Sequence, residues 1–359
     1  MELRYALIGC GRVSGNHMAA AAANKLRITA VCDLNPRKLD VLSDRFPEAA
    51  KAHHYTDYRK MLEVEKPDLV AIATESGKHA AIALDALDAG CHVIIEKPIA
   101  LSIADADTII AKARAKGVKV SACHQNRFNL AVRKLREAVE MGRFGKLLHG
   151  TAHIRWSRSQ SYYQEAPWRG TWAQDGGTLM NQCIHNIDLL RWMMGEEITK
   201  VMAMTDRIHH PDIEAEDLGL GLIKFTNGSY GLIEGTVNIY PTDLEATLNI
   251  FGEKGTVKLG GLSVNAIETW LFDDQLDNAA EVKCKYSEKP TGVYGFGHRR
   301  LYADVCDAII NDREPYVTAE DGRKALELVL ALYKSAAQGT AVELPLKEGS
   351  TLEYLGRFD

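Results

Sequence analysis

The chain has 359 residues, a length typical of about two domains. Hydrophobic residues make up 46% and charged residues 25%, and the formal net charge is −5 without any basic tract. A nucleic-acid-binding role therefore has little support. No apolar stretch approaches the roughly 18 residues that a membrane-spanning helix needs, so no membrane partner is expected.

The seven cysteines are scattered along the chain and form no CxxC pair. An odd, dispersed set of cysteines does not suggest a disulfide framework, and several fall in predicted strands, where a thiol behaves as a small hydrophobe. The N-terminus enters a strand at once and lacks the anatomy of a signal peptide. We therefore expect a reduced, cytoplasmic protein.

Apolar runs of strand length alternate with helical patterns through the first third of the chain. Because the runs lack polar alternation, they are typical of strands buried on both faces. Strands are predicted at 5–8, 28–32, 68–73, 92–95 and 118–123, and helices at 17–23, 37–45, 79–89 and 103–115. This order predicts an α/β domain over residues 1–123 with a parallel sheet and right-handed crossovers.

Residues 124–359 have a different pattern, which predicts an α+β domain with a large, mainly antiparallel open sheet. Its clearest signal is a hairpin of two β-rich runs, 219–225 and 230–237, around Asn227-Gly228. Further strands are predicted at 146–155, 245–251 and 256–259, and helices at 130–141, 301–311 and 319–337. An open sheet of this size needs a cover on its second face, so we expect a homo-oligomer, a dimer or a tetramer.

A glycine-rich turn follows the first predicted strand and opens a helix. In such a turn the first glycine permits the tight bend, the second lets the backbone approach a pyrophosphate, and the helix N-terminus favours the phosphates. Ser14 stands where a third Gly or Ala is usual, so the fingerprint is incomplete. The turn predicts a Rossmann dinucleotide-binding domain with cofactor contacts at Gly9, Gly11, Arg12, Val13 and Ser14.

Asp33 ends the second predicted strand, about 20 residues beyond the turn, where an acidic residue binds the adenosine ribose. A carboxylate there accepts from the 2′-hydroxyl and repels a 2′-phosphate, which favours NAD over NADP. Arg37 lies four residues further on and could instead serve a phosphate. A Rossmann-like domain without a nucleotide is the remaining alternative.

Glu96-Lys97-Pro98 ends the apolar run 92–95. In a doubly wound sheet, ligands bind outside the carboxyl ends of the strands, and a cation there needs a partner or a task. Lys97 is therefore a candidate catalytic residue. The alternative is a surface lysine in a structural ion pair. Glu96 either pairs with Lys97 or packs away from it, and the sequence leaves this open.

A second cluster of polar residues lies at 175–188, where a double glycine precedes a helical pattern. A regular helix from near Gly177 would place Asn181, His185 and Asp188 on one face. Imidazole titrates near neutral pH and can serve as a general base. The alternative is a core histidine paired with Asp188.

The glycine-rich turn at 9–14, Glu96-Lys97-Pro98 and the Gly-Gly…His-x-x-Asp helix occur in one order along the whole chain. Together they resemble the Gfo/Idh/MocA family of NAD(P)-dependent sugar and polyol dehydrogenases. Further stretches are similar to the WlbA/WbpB-type group of this family, which oxidises C3 of UDP-N-acetylglucosaminuronic acid. Those stretches are 125–127, 162–163, 168–172, 181–185, 252–257 and 293–298.

This resemblance implies that Lys97 and His185 form the catalytic pair and that the Lys97–Pro98 bond is cis. We assign His185 as the base and Lys97 as the cation that steadies the developing alkoxide, because a lysine base would need its pKa lowered by about three units. Exchanged or shared roles stay open. Many relatives carry Asp where this chain has Asn181, which removes a charge that would stabilise imidazolium.

The same resemblance extends the predicted site. Further cofactor contacts are expected at Thr74, His79, Glu96, Lys97, Asn126, Trp168 and Arg169. Substrate contacts are expected at Lys97, Arg127, Arg158, Tyr163, Asn181, Gln182 and His185. Arginines and aromatic side chains crowd residues 155–169, where they suit two phosphates and a uracil. In part of the WlbA/WbpB-type group 2-oxoglutarate recycles the bound NADH, so it is a candidate partner.

The run at 209–217 contains histidines and carboxylates, the ligand types that bind metals. Its proline and acidic density fit a solvated loop better, and we predict no metal. Alternative substrates are UDP-N-acetylglucosamine or a polyol or aldose such as inositol. An alternative of another class is a catalytically silent NAD-binding regulator, although Lys97 and His185 together argue against it.

Overall fold

A computed structural model describes residues 2–195, 197–289 and 295–359 of the chain. These residues form two compact units, 1–125 with 296–323, and 126–295 with 324–359. The segment 296–323 therefore belongs to the first unit, whereas the sequence pattern assigned it to the domain 124–359. Positions 293 and 294 of the motif at 293–298 lie outside the described residues.

The first unit contains a parallel six-stranded sheet in the order β3-β2-β1-β4-β5-β6, which confirms the predicted Rossmann-type fold. The strands are β1 Arg4–Ile8, β2 Arg27–Cys32, β3 His53–Tyr55, β4 Leu69–Ile72, β5 His92–Ile95 and β6 Val120–Ala122. The helices are α1 Ser14–Ala23, α2 Pro36–Arg45, α3 Pro47–Lys51, α4 Tyr58–Glu65, α5 His79–Asp88 and α6 Ile103–Lys116. The sequence pattern missed β3 because it is short and largely exposed.

Helix α11, Gly297–Ile310, packs on α1 and explains why its segment belongs to the first unit. Its Tyr302 is fully buried, and the Tyr302 hydroxyl lies 2.9 Å from that of Tyr5 on β1. At Gly297 an added Cβ would lie only 2.2 Å from the Gln125 carbonyl oxygen. A glycine at this position therefore allows the helix to start directly against the backbone of the first unit.

The second unit contains an eight-stranded sheet in the order β13-β12-β11-β7-β10-β9-β8-β14. Its strands are β7 Leu147–Arg155, β8 Ile198–Asp206, β9 Leu218–Phe225, β10 Tyr230–Thr236, β11 Glu245–Gly252, β12 Gly255–Gly260, β13 Ala266–Phe272 and β14 Val342–Glu343. Among the described strands of this sheet, only β7 and β10 pair in parallel, and β9 and β10 form the predicted hairpin. The structure confirms a mainly antiparallel sheet.

Helix α9, Ile184–Met194, packs on one face of this sheet against β7 and β11. The approach is close, since a Cβ at Gly150 of β7 would lie 2.8 Å from the Leu190 side chain. The other helices are α7 Leu130–Glu140, α8 Gln160–Gln164, α10 Ala279–Tyr286 and α12 Ala319–Gln338. In the described part of the chain, no helix combines the length and apolarity that crossing a bilayer would require.

Candidate active site

The glycine-rich turn has the backbone that a diphosphate requires. Gly9 has a φ of +97°, and a Cβ there would lie 2.5 Å from the Ala73 carbonyl group, so only glycine fits. A Cβ at Gly11 would meet nothing within 4 Å, so this stretch of backbone borders open space. Helix α1 begins at Ser14, whose hydroxyl donates to the Gly11 carbonyl oxygen at 2.6 Å. Arg12 is exposed and Val13 half-buried.

Asp33 lies just beyond β2, beside the same turn. One of its carboxylate oxygens accepts the Cys10 N–H at 2.9 Å and the other accepts the Asn35 N–H at 2.9 Å. These bonds fix the carboxylate, and each oxygen keeps a lone pair for a ribose hydroxyl. The open backbone at Gly11 and this oriented acceptor fit a dinucleotide with an unmodified 2′-hydroxyl.

The two glycines of the turn give a matched pair of variants. We expect Gly11→Ala to fold like the wild type and to bind NADH at least about tenfold more weakly, because its methyl group would occupy the diphosphate space. Gly9→Ala is expected to lower the free energy of unfolding by about 1–3 kcal/mol through backbone overlap. Thermal unfolding and fluorescence titration with NADH separate the two effects. Unchanged NADH affinity in Gly11→Ala would contradict the assignment.

Residues after β4 and β5 are connected through His79. Its buried ring lies with Nδ1 2.8 Å from the Pro98 carbonyl oxygen and Nε2 3.1 Å from the Thr74 carbonyl oxygen. Burial lowers the pKa of this histidine. A neutral imidazole has one N–H, so it donates to one of these two carbonyl oxygens while it packs between the segments that follow the neighbouring strands. Cofactor contacts by Thr74 and His79 stay predictions.

Lys97 follows β5, half-buried, and the Lys97–Pro98 peptide bond is cis. Glu96 is buried, with one carboxylate oxygen 3.0 Å from His17 Nε2 and 3.3 Å from His298 Nε2. Its other oxygen accepts the backbone N–H of Lys97 at 3.2 Å. Burial alone would raise the pKa of Glu96, but the two histidines outweigh it and hold the pKa well below its ordinary value. The Glu96 side chain therefore packs into the first unit.

His185 is carried by a helix that starts irregularly. A π-helical turn, Leu179–Cys183, leads directly into α9, whereas the sequence predicted a regular helix from near residue 177. Such turns are frequent at functional sites because they redirect side chains. Within the turn, Asn181 donates from its side-chain amide to the Asp175 carboxylate. Asp175, the carboxylate that contacts Asn181, has no role predicted from the sequence.

Glu216 and Tyr333 hold the start of this π-helical turn. One Glu216 oxygen accepts the Leu179 N–H at 2.7 Å and lies 2.6 Å from the Tyr333 hydroxyl. That hydroxyl also accepts the Met180 N–H at 3.2 Å. Glu216 is fully buried, and burial raises its pKa to about 8. Neither residue was predicted, because they approach the turn from distant parts of the sequence.

The raised pKa of Glu216 predicts that the stability of the folded protein depends on pH. A folded-state pKa of about 8 against an ordinary value of 4.5 means that its stabilising contribution is complete below pH 4.5 and lost as the pH rises through 8. Glu216→Gln mimics the protonated form. The Tm of this variant minus the Tm of the wild type should therefore increase as the pH rises from 5 to 9. Scanning calorimetry across this range tests it, with the exposed Glu214→Gln as control. If the difference in Tm between Glu216→Gln and the wild type is the same at every pH, the raised pKa of Glu216 is contradicted.

Arg127 is held by an ion pair inside the second unit. Its guanidinium donates to the Asp188 carboxylate at 2.7 and 2.6 Å and lies 4.6 Å from the centre of the Trp192 ring. Both partners are buried, so the pair satisfies two charges that would otherwise be costly. Asp188 thus has a structural partner on another element, and a substrate contact by Arg127 stays a prediction.

The arginines of residues 155–169 all have acidic partners. Arg155 pairs with Glu234 and Glu245, Arg158 with Asp243, and Arg169 with Glu165. Arg158 and Arg169 also lie over the Tyr162 ring, 5.5 and 4.1 Å from its centre. Tyr163 is instead buried in a small cluster with Ile213 and Val237. Of the predicted substrate residues, Arg158 keeps a partly exposed cation, whereas the Tyr163 ring contributes to the core.

Two residues of the predicted site have buried side-chain amide atoms that lack hydrogen-bond partners among the residues that the structure describes. They are Gln182, through both amide atoms, and Asn126, through its oxygen. Buried polar groups are almost always hydrogen-bonded, so these atoms are candidates to bind a ligand. Both residues belong to the predicted set, Gln182 for substrate and Asn126 for cofactor.

The run at 209–217 is organised around one carboxylate. Asp217 accepts the backbone N–H of His209 at 2.8 Å and lies 3.1 Å from His210 Nδ1. Burial would raise the pKa of Asp217, but these hydrogen bonds lower it. A different group with metal-ligand types lies in the first unit: His17, Glu96, Cys123 and His298, with one ligand atom of each within 4.8 Å of the others.

A Rossmann sheet with an open glycine-rich turn and an oriented ribose acceptor defines an NAD-binding domain. Family models match both parts of the chain: the NAD-binding Rossmann fold of the oxidoreductase family over residues 3–124, and its C-terminal alpha/beta domain over 136–344. The chain therefore belongs to the Gfo/Idh/MocA oxidoreductase family. The similar proteins named below are dehydrogenases that act on CH–OH groups.

Solved structures and curated relatives cover almost the whole chain. The WlbA dehydrogenase from Bordetella pertussis, in complex with NADH and UDP-GlcNAcA, is 36% identical with a TM-score of 0.89, over 96% of this chain and 99% of that one. The WlbA dehydrogenase from Chromobacterium violaceum, with the same ligands, is 34% identical with a TM-score of 0.88, over 96% and 97%. Myo-inositol 2-dehydrogenase from Thermotoga maritima is 25% identical, over 95% of this chain and 98% of the relative.

Proposed function

We propose that the protein oxidises the C3 hydroxyl of UDP-N-acetylglucosaminuronic acid to the 3-keto sugar with NAD, on the way to a diacetamido uronic acid for a surface polysaccharide. The observation that supports it is the similarity to two WlbA structures that contain NADH and UDP-GlcNAcA. Curated relatives at 25–26% identity are named myo-inositol 2-dehydrogenase and D-apiose dehydrogenase. A polyol or aldose, or UDP-N-acetylglucosamine, is therefore the alternative substrate.

In this proposal the chain's own residues handle the proton and the developing charge. Bound NAD supplies the hydride acceptor. His185 takes the proton of the C3 hydroxyl, and Lys97 donates a charge-assisted hydrogen bond to the same oxygen as negative charge develops on it. Many relatives carry Asp at the position of Asn181. In this chain the Asn181 amide donates a hydrogen bond to the Asp175 carboxylate, so a carboxylate is still close to that position.

The substrate side of the proposal rests on charges and amides of the second unit. The Arg158 guanidinium lies over the Tyr162 ring and suits a phosphate of a nucleotide sugar. Its carboxylate partner, Asp243, keeps the arginine oriented before the substrate arrives. The buried amide of Gln182 can donate to and accept from the sugar.

Substrate identity is tested by following NADH with purified protein and NAD. We expect turnover with UDP-N-acetylglucosaminuronic acid, and at least about a hundredfold lower kcat/KM with UDP-N-acetylglucosamine or myo-inositol. No turnover with either UDP-sugar would overturn the proposed substrate. In a parallel reaction with 2-oxoglutarate, formation of 2-hydroxyglutarate would show that the keto acid recycles NADH.

The catalytic pair is tested by isosteric variants with matched surface controls. Lys97→Met and His185→Asn should each lower kcat by about 10²–10⁴-fold, the usual contribution of a positioned acid–base or electrostatic group. The exposed Lys60→Met and His209→Asn should leave kcat unchanged. Turnover at the wild-type rate in either site variant would contradict its assignment.

We also propose a cytoplasmic homo-oligomer, because NAD is an intracellular cofactor and the sheet of the second unit exposes an apolar face. Met202 and Met204 of β8 and Leu222 of β9 are 48%, 73% and 55% exposed. Met202 pairs with Leu222, which pairs with Leu232 of β10, so the patch continues across strands. Such patches mark interaction sites.

A second copy of this chain is a suitable partner for this exposed apolar face of the sheet. Glu234 lies two residues after Leu232 on β10 and forms an ion pair with Arg155, which also pairs with Glu245. A surface with an apolar centre and both signs of charge beside it is compatible with an isologous contact, in which a patch meets its own copy around a two-fold axis.

Leu222→Glu should convert the oligomer into monomers, because it introduces a charge at the centre of the apolar patch. Light scattering after size-exclusion chromatography measures the mass, and Val64→Glu, at an exposed apolar position of the first unit, is the control. If the mass of Leu222→Glu equals that of the wild-type oligomer, this face is not the interface.

A further inference from the structure

Tyr333 on α12 contacts the segment that leads into the π-helical turn at three points. Its ring meets the Trp172 ring edge-on, with the ring centres 5.2 Å apart. Its hydroxyl oxygen lies 2.8 Å from the Gly176 carbonyl oxygen and 3.2 Å from the Met180 nitrogen. Tyr333 and Trp172 are both fully buried. One side chain, 153 residues away from Met180 in sequence, therefore sets the course of residues 172–180.

The double glycine before the turn packs directly on the groups that hold it. Gly176 and Gly177 have φ values of +87° and +92°, a region that favours glycine. A Cβ at Gly177 would lie 2.7 Å from the Tyr333 hydroxyl and would overlap the Glu216 carboxylate. The backbone thus has no room to move towards Tyr333, and a movement away from it would break the hydrogen bonds of the hydroxyl.

The Tyr333 hydroxyl has a hydrogen-bonding task in either protonation state of Glu216. A hydroxyl offers one proton and two lone pairs. A protonated Glu216 donates to the Tyr333 oxygen, which leaves the Tyr333 proton for the Gly176 carbonyl group, whereas an ionised Glu216 accepts that proton itself at 2.6 Å. In both states Met180 donates its N–H to Tyr333, and Leu179 donates its N–H to Glu216 at 2.7 Å. The first N–H groups of a helix have no partner within it, so this buried helix start depends on these two acceptors.

The π-helical turn carries or precedes the polar residues of the predicted substrate site. Asn181 and Gln182 lie within the turn Leu179–Cys183, and His185 is the second residue of α9, which follows without a connecting loop. Both amide atoms of Gln182 are buried and lack a hydrogen-bond partner in the part of the chain that the structure describes. A shift at the start of the turn is therefore transmitted through continuous helical backbone to Gln182 and His185.

We propose that Tyr333 is a positioning residue for the oxidation, because its hydroxyl fixes the backbone of Gly176 and Met180 and so places Gln182 and His185 for the sugar. Glu216 shares this task by holding the N–H of Leu179. The part of the inference that concerns turnover rests on the proposed function. The order of the turn does not, and it is measurable without a substrate.

The first experiment measures turnover of Tyr333→Phe, which removes the hydroxyl and keeps the ring against Trp172. Fluorescence titration with NADH counts the competent sites, since the glycine-rich turn belongs to the first unit and keeps its sequence. We expect kcat/KM for UDP-N-acetylglucosaminuronic acid, per NADH site, to fall by about 10–100-fold, the usual effect of a misplaced reacting group. The affinity for NADH should be unchanged. A loss of stability alone would lower the number of NADH sites and leave turnover per site at the wild-type value.

Tyr354→Phe is the matched control, because it makes the same change in the same aromatic cluster. The Tyr354 ring lies 5.4 Å from that of Trp172 and 5.5 Å from that of Tyr333. Its hydroxyl, however, donates to the Leu330 carbonyl oxygen at 3.4 Å and not to the π-helical turn. This variant should keep the wild-type kcat/KM per NADH site.

The second experiment measures amide hydrogen exchange of the peptide that contains Leu179 and Met180, in the NADH-bound protein without sugar. In the wild type this peptide should exchange as slowly as the buried strands of the second unit. In Tyr333→Phe we expect exchange up to about tenfold faster, as for the loss of one hydrogen bond from a local structure. Tyr354→Phe should exchange like the wild type.

Four results would overturn the proposal. They are wild-type turnover per NADH site in Tyr333→Phe, an equal loss of turnover in Tyr354→Phe, unchanged exchange of the turn in Tyr333→Phe, and rapid exchange of the turn in the wild type. The last result applies even if Tyr333→Phe fails to fold. If the wild type oxidises neither UDP-sugar, the proposed substrate is overturned, and the exchange rates decide whether Tyr333 fixes the turn.

Discussion

The removal of the Glu96 carboxylate from water is the constraint on which much of the first unit depends. A buried carboxylate is costly unless several donors satisfy it. Here the donors are His17 on α1, His298 on α11 and the backbone of Lys97. Because His298 is 202 residues away in sequence, this hydrogen bond gives the segment 296–323 a reason to pack with the Rossmann sheet and not with the residues around it in sequence.

Local signals predicted most of the fold and the glycine-rich turn with its acidic residue. The buried strands, the Asn227-Gly228 hairpin and the spacing from Gly9 to Asp33 depend on neighbours in sequence, and the structure has all of them. Long-range pairs carried no such signal. Nothing in the pattern around Asn181 indicated the Asp175 contact, and nothing around residue 179 indicated that Glu216 and Tyr333 would hold a π-helical turn.

The second unit shows how the same residue types acquire different tasks through their partners. Arg127 and Arg158 are both predicted from the sequence as substrate contacts. In the structure Arg127 is fully buried against Asp188, whereas Arg158 stays partly exposed beside Asp243. Removing one partner of a buried pair leaves an uncompensated charge, whereas a partly exposed pair can be rearranged at little cost. Arg158 is therefore the better placed of the two to exchange its carboxylate for a phosphate.

The environments of the two catalytic candidates bear on how they divide the work. An enzyme separates acid and base roles by placing similar groups in contrasting surroundings. Lys97 follows the buried Glu96, whose carboxylate accepts the Lys97 backbone N–H, and a cation that stabilises an alkoxide needs its charge throughout the reaction. The base must instead change its charge. His185 follows a turn whose polar partner, Asn181, is neutral, and the nearest carboxylate to that amide is Asp175. An imidazole that gains a proton only transiently needs no permanent counter-ion beside it, so replacement of the relatives' Asp by Asn181 is compatible with a base at His185 as long as Lys97 remains the cation.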